Sequence, residues 1–198
     1  MITAIQTFLN QIALSFDLPI LDWIQANLKS GFMDTVMPII NMFGDDGIFW
    51  IACAVLLLFF PKTRKVGLGM GFAMAIGLLV CNVTLKPLIG RIRPYDLQAE
   101  MGVTIQLLTE RMHDFSFPSG HTIASFEAAT VLLKNSKKMG IPAMILAVLI
   151  AFSRLYLYVH YPTDVLFSVF AGIAFGFLGS FLAQRIQFGP RVKGKYEA

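Results

Sequence analysis

The chain has 198 residues, 56% of them hydrophobic and only 14% charged, against roughly 25% charged in soluble domains. Sixteen Lys and Arg outnumber twelve Asp and Glu for a net charge of +4, and the mean hydropathy is +0.68. That balance excludes a disordered tail, a disulfide scaffold and most soluble enzymes, and leaves an integral membrane protein.

In chain order, residues 1–43 come first, cut by Asp17, Pro19, Asp22, Lys29 and Asp34 into short amphipathic pieces. These either lie in the membrane interface or supply a first span. No basic segment or small-residue cleavage pattern opens the chain, so its start is expected to belong to the mature protein. Spans of about 20 apolar residues are then expected. Gly47 to Phe60 is apolar but short, and Val66 to Leu85 carries no charge. Pro118 to Leu133 is interrupted by His121 and Glu127, and Ile141 to Val159 by Arg154, while Val165 to Ala183 is uncharged. The reading is one membrane-integral domain over 1–198, with core spans within 44–183 and a basic tail over 184–198. Cys53 and Cys81 sit in apolar runs without metal spacing and read as buried hydrophobes. Gly67 with Gly71, and Gly172 with Gly176, form GxxxG pairs suited to close helix approach.

Charge is sorted between the two ends of these spans. Lys62, Arg64, Lys65, Lys134, Lys137, Lys138, Arg185, Arg191, Lys193 and Lys195 fall on one face, ten of the sixteen cations. Short basic loops stay cytoplasmic, so the loops at 44–47, 86–118 and 158–164 should face outward. The basic clusters read as topology signals, and no nucleic-acid partner is expected.

Ionisable groups at membrane depth are costly and mark function. Here they collect at one end of three spans: Lys86 with Arg91 and Arg93, then Ser119-Gly120-His121, then Arg154 with His160 and Asp164. Lys86, Arg93 and Arg154 can converge on three phosphate oxygens, the arginines as forked donors. Ser119 and Gly120 follow Pro118 at a helix start, where free N–H groups and the positive dipole end face an anion. Of two histidines flanking such a phosphate, one can attack phosphorus while the other protonates the leaving oxygen. Asp164, four residues beyond His160, can fix a ring tautomer.

Three motifs carry a resemblance: Lys86 to Pro94 as K-x6-R-P, Pro118 to His121 as P-S-G-H, and Ser153 to Asp164 as S-R-x5-H-x3-D. Together they resemble the signature of the type 2 phosphatidic acid phosphatase superfamily, in its membrane branch. The resemblance implies His160 as nucleophile, Asp164 as its orienting carboxylate and His121 as general acid. It also implies Lys86, Arg93, Ser119, Gly120 and Arg154 as phosphate ligands, with no metal or other cofactor. It further implies an all-α polytopic bundle of about six helices, one of them from residues 1–43, with the site near the outer leaflet. The implied activity is metal-independent removal of phosphate from a lipid phosphate or diphosphate in a bacterial cytoplasmic membrane. Undecaprenyl diphosphate leads among substrates, followed by phosphatidylglycerol phosphate and phosphatidic acid. A non-hydrolytic lipid-binding or transport protein and a lipid phosphotransferase are the alternatives of other classes.

Outside the motifs, Arg91 reads as a headgroup contact in preference to a diphosphate ligand, and His113 as a solvated loop residue. Asp45 and Asp46 read as a surface turn. Glu127 lies six residues, about 9 Å, deeper than His121 on one helix. It is expected to be structural, either protonated or paired with Asn82 or Thr84.

Overall fold

The computed structural model describes residues 2–187. Helix α1 covers residues 2–28, α-helical over Ile2–Ile12 and Leu18–Leu28 with a π-helical turn over Ala13–Asp17 between. Helix α2 (Gly31–Met42) and α3 (Ile48–Phe59) are joined through a 3-10 turn at Asp45–Gly47. Helix α4 covers 64–89, with Leu78–Leu85 wound as a π-helix ahead of its last turn at Lys86–Ile89. The short α5 (Pro94–Glu100) precedes a loop, and α6 (Gly120–Asn135), α7 (Lys137–Tyr156) and α8 (Pro162–Arg185) follow. With α2 and α3 taken as one bent rod, the six long helices of the expected all-α bundle are present, and no strand occurs among the described residues.

Gly31–Phe59, Arg64–Glu100, Lys137–Tyr156 and Pro162–Arg185 are long and apolar enough to cross a membrane. The remaining expected span, α6, has 16 residues and is about 24 Å long at 1.5 Å per residue. It is the central helix, packed by α4, α7 and α8, and buries Thr122, Ser125, Glu127 and Thr130 beside its apolar residues. A helix enclosed by other helices needs no lipid-facing apolar surface, which is why its sequence is the least hydrophobic of the spans. Trp50 Nε1 donates to Ser125 Oγ at 3.0 Å and pins α3 to it.

Glycines set the close contacts. A Cβ on Gly172 or Gly176 would stand 2.9 Å from the carbonyl oxygens of Ile123 and Glu127, so that pair lets α8 approach α6 as expected. The Gly67/Gly71 pair works only at Gly67, which meets the Ala54 carbonyl of α3; Gly71 faces open space. The neighbouring Gly69 instead packs on Gly179 of α8.

Helix α1 is the sixth long helix and lies over the motif end, against the end of α7, where Gln25 Nε2 donates to the Tyr156 carbonyl at 2.6 Å, and against the loops there. Thr163 donates to Asp17 from both N (2.9 Å) and Oγ1 (2.8 Å), and Tyr158 Oη donates to Asp22 at 2.6 Å. From α2, Asp34 accepts from Tyr156 Oη at 2.6 Å. Leu18, Leu21, Ile24 and Met37 share a buried cluster with Tyr95, Leu97 and Tyr156. The acidic residues that break the N-terminal hydropathy are thus the tethers of an end cover. At the opposite end Lys65 Nζ reaches the Gln184 carbonyl at 3.4 Å, beside the basic loops at 62–65 and 134–138. Arg191, Lys193 and Lys195 lie outside the described residues.

Candidate active site

Each motif is placed by a helix terminus. Gly90 (φ 60°) ends α4 one turn after Lys86, a left-handed position that glycine fills without a Cβ clash. Pro94 opens α5 and holds Arg93 extended (φ −77°, ψ 156°). Ser119 caps α6, so Gly120 and His121 occupy its first turn. Tyr161 caps α8, and Asp164 Oδ2 accepts from the Tyr161 N–H at 3.1 Å, the usual place for a carboxylate at a helix start. Two residues before His160, Tyr158 adopts φ 59°. That left-handed turn is held by Asp22 and by Gln98, whose Nε2 donates to Tyr158 Oη at 2.9 Å, and it aims His160 inward.

A cavity of about 1430 Å³ opens between α3, α4 and α6. Lys86, Arg93, Gly120, His121, Arg154 and His160 all line it, while its lower wall, among Ala54, Leu58, Leu68 and Phe72, is apolar. Six of the eight expected site residues therefore share one chamber. Asp164 stands behind His160, and Ser119 lies off the cavity with its N–H donating to Ser168 Oγ at 2.9 Å. Gly120 and His121, the first two residues of α6, line the chamber.

His160 is 1% exposed. Its Nε2 lies 3.4 Å from Arg93 Nη1, and its Nδ1 3.6 Å from Asp164 Oδ2 and 3.5 Å from Ser116 Oγ. Burial and the positive charges of Arg93, Arg154 and Lys86 hold its pKa well below the ordinary imidazole value. The ring is therefore held in its neutral form, which is the state a nucleophile requires.

Several neighbours were not legible in the motifs. Asp114 bridges the cations: its Oδ2 pairs with Lys86 Nζ, and its Oδ1 accepts from Arg93 Nη2 at 2.5 Å. Although burial opposes ionisation, those two cations hold its carboxyl well below the usual carboxylate range. Arg154 donates to Asn41 Oδ1 and, from Nη2, to Met112 Sδ at 3.1 Å. His121 Nε2 lies 2.7 Å from Asp45 Oδ1, so Asp45 belongs to the site as well as to a turn. His113 is exposed at the rim of the cavity.

The reading of Arg91 is corrected. It is 3% exposed and touches no headgroup position. It donates to Asp17 Oδ2 (2.7 Å), Asp164 Oδ1 (2.5 Å) and Thr163 Oγ1 (2.8 Å), with its guanidinium 3.8 Å from the Tyr161 ring centroid. Glu127 pairs with neither Asn82 nor Thr84. Thr84 donates to the Leu79 carbonyl, and Glu127 Oε1 is buried without a partner, facing Gly77 across the cavity wall. Since it holds no other side chain in place, Glu127→Gln is expected to fold and keep at least about half of the wild-type rate. Complete loss with an unchanged unfolding midpoint would contradict the structural reading of this residue.

Buried cations around two histidines at a helix N-terminus, above an apolar chamber, define a membrane enzyme for a phosphorylated lipid-like anion. Residues 66–187 match the family model described as PAP2 superfamily. Over 81% of this chain, and 74% of its own length, an undecaprenyl-diphosphatase of Sulfolobus acidocaldarius is 33% identical. The undecaprenyl-diphosphatase BcrC of Bacillus subtilis is 30% identical over 74% of this chain and 72% of its own. The crystal structure of a transmembrane PAP2-type phosphatidylglycerolphosphate phosphatase from Bacillus subtilis superposes with a TM-score of 0.65 at 25% identity, covering 94% of this chain and 97% of that one. The chain belongs to the PAP2 superfamily, and it is a membrane-type lipid phosphatase within it.

Proposed function

We propose that the protein releases phosphate from a lipid diphosphate, undecaprenyl diphosphate foremost, through a phosphohistidine on His160. The observation that carries this reading is the single chamber that joins six cationic, histidine and helix-terminus groups to an apolar wall below them. In the first half-reaction Nε2 of neutral His160 attacks phosphorus, the bond to the leaving oxygen breaks, and His121 gives that oxygen a proton. Lys86, Arg93, Arg154 and the N–H of Gly120 hold the equatorial oxygens as charge builds on them. The phosphate displaces Asp114 from Lys86 and Arg93 as it binds. In the second half-reaction water attacks the phosphohistidine, returns a proton to His121 and releases phosphate. Asp164 and Ser116 hold Nδ1 of His160 throughout.

The names of the relatives support the substrate class, and the sorting of basic loops supports a site on the outer face of the cytoplasmic membrane. Purified protein in detergent, assayed with EDTA present, is expected to release phosphate fastest from undecaprenyl diphosphate. The panel should include phosphatidylglycerol phosphate and phosphatidic acid. A higher kcat/KM on either glycerolipid would overturn the substrate assignment, and no release from any of them would overturn the enzymatic one.

A further inference from the structure

The N-terminal part of the chain reaches into the chamber at one point. The turn after α2 brings Asp45 Oδ1 within 2.7 Å of His121 Nε2. Asn41 Nδ2 donates to the same oxygen at 3.2 Å, and Asn41 Oδ1 accepts from Arg154. The approach is tight, since a Cβ on Gly44 would stand 2.6 Å from Cδ2 of the His121 ring. Gly47, at φ 66°, lets the chain turn straight into α3. The Asp45 side chain is half exposed while the ring is largely covered, so one end of this pair meets water and the other meets the chamber.

We propose that Asp45 is the positioning carboxylate of the proton donor, and that its contribution is specific to lipid monophosphates. The proposal rests on the reading of His121 as general acid. With Nε2–H held by Asp45, Nδ1 is the ring atom left to protonate the leaving oxygen. The carboxylate on the far nitrogen fixes the tautomer and the orientation of the ring, in a chamber also lined by Arg154, Lys86, Arg93 and His160. The arrangement mirrors His160, where Asp164 stands at Nδ1 and Nε2 is the reacting atom.

The leaving groups differ. Cleavage of a monoester expels a lipid alkoxide, strongly basic, which must take the His121 proton as the P–O bond breaks. Cleavage of a diphosphate expels a lipid phosphate, whose second pKa is about 6 and which departs with little help. A carboxylate that holds the His121 donor in tautomer and orientation therefore matters for the first substrate far more than for the second.

The test compares Asp45→Asn, Asp45→Glu and His121→Ala with wild type on polyprenyl monophosphate and polyprenyl diphosphate in the same detergent. Asp45→Asn is expected to lower kcat/KM about 100-fold on the monophosphate and less than about 5-fold on the diphosphate, within the range of general acid catalysis. Asp45→Glu, which keeps a carboxylate within reach of Nε2, should restore part of the rate. The thermal unfolding midpoint in the same detergent reports that each variant is folded. If His121→Ala shows the substrate split and Asp45→Asn does not, the proposal falls while the general-acid reading stands. If His121→Ala loses no activity on either substrate, that reading falls and takes the proposal with it; an equal loss on both overturns the monophosphate specificity alone.

Discussion

Replacing His160 by alanine is expected to lower phosphate release by at least about 10⁴-fold with no loss of folded protein. The side chain is the sole nucleophile in the proposed cycle, and the remaining cations cannot form the covalent intermediate. Phosphate release in detergent and trapping of acid-labile protein-bound phosphate check this together; a rate within tenfold of wild type would remove His160 from the chemistry. The pH profile gives a second reading of the same ring. Because Arg93, Arg154 and Lys86 oppose its protonation, the acid limb of wild-type kcat/KM should fall below the ordinary imidazole value near 6.5. The sign for stability is opposite. Below that value the unfolded chain binds a proton that the folded His160 refuses, so this residue lowers stability progressively as the medium is acidified.

Arg91→Leu is expected to have the second large effect, and through the fold. Its guanidinium neutralises Asp17 and Asp164, both fully buried. Its removal would leave two carboxylates uncompensated, which costs about 3–5 kcal/mol when a buried pair loses one member. For a chain of this size that lowers the unfolding midpoint by on the order of 10 °C. Activity should fall with it, since Asp164 and the α1 cover share this one cation. Thermal unfolding in detergent measures the shift, and a midpoint within about 2 °C of wild type would show that the cluster carries little. Arg91→Lys should recover only part of the loss, because an ammonium cannot reproduce the forked contacts to both acids.

The motifs were readable because each packs its chemistry into a few residues at a helix end. A proline fixes Arg93, the start of α6 places Gly120 and His121, and Asp164 in the first turn of α8 lies four residues after His160. What could not be read were partners joined only by the fold. Arg91 meets Asp17 and Asp164 across more than 70 residues in either direction, and no local spacing separates that arginine from Arg93, two positions on. Asp114 and Asp45 look like ordinary loop acids until the loops close on Lys86 and His121. Residues 1–43 posed the same difficulty. Asp17, Asp22 and Asp34 weaken the hydropathy of the segment, and only their hydrogen bonds to Thr163, Tyr158 and Tyr156 reveal an end cover. The Gly71 reading failed because spacing alone does not say which glycine faces a neighbour and which faces a cavity.

The length of α6 has a kinetic consequence. A helix about 24 Å long, with Lys134 at its far end, spans less than the ~30 Å hydrocarbon layer. With Lys134 at one edge of that layer, the N-terminus, where we propose that the phosphate binds, would lie several ångströms inside the other. On that placement a lipid would reach the site by lateral diffusion, as a solute in two dimensions, without being lifted out. Turnover in micelles should accordingly follow the mole fraction of substrate in the micelle and obey surface dilution, slowing as detergent is added at constant bulk substrate.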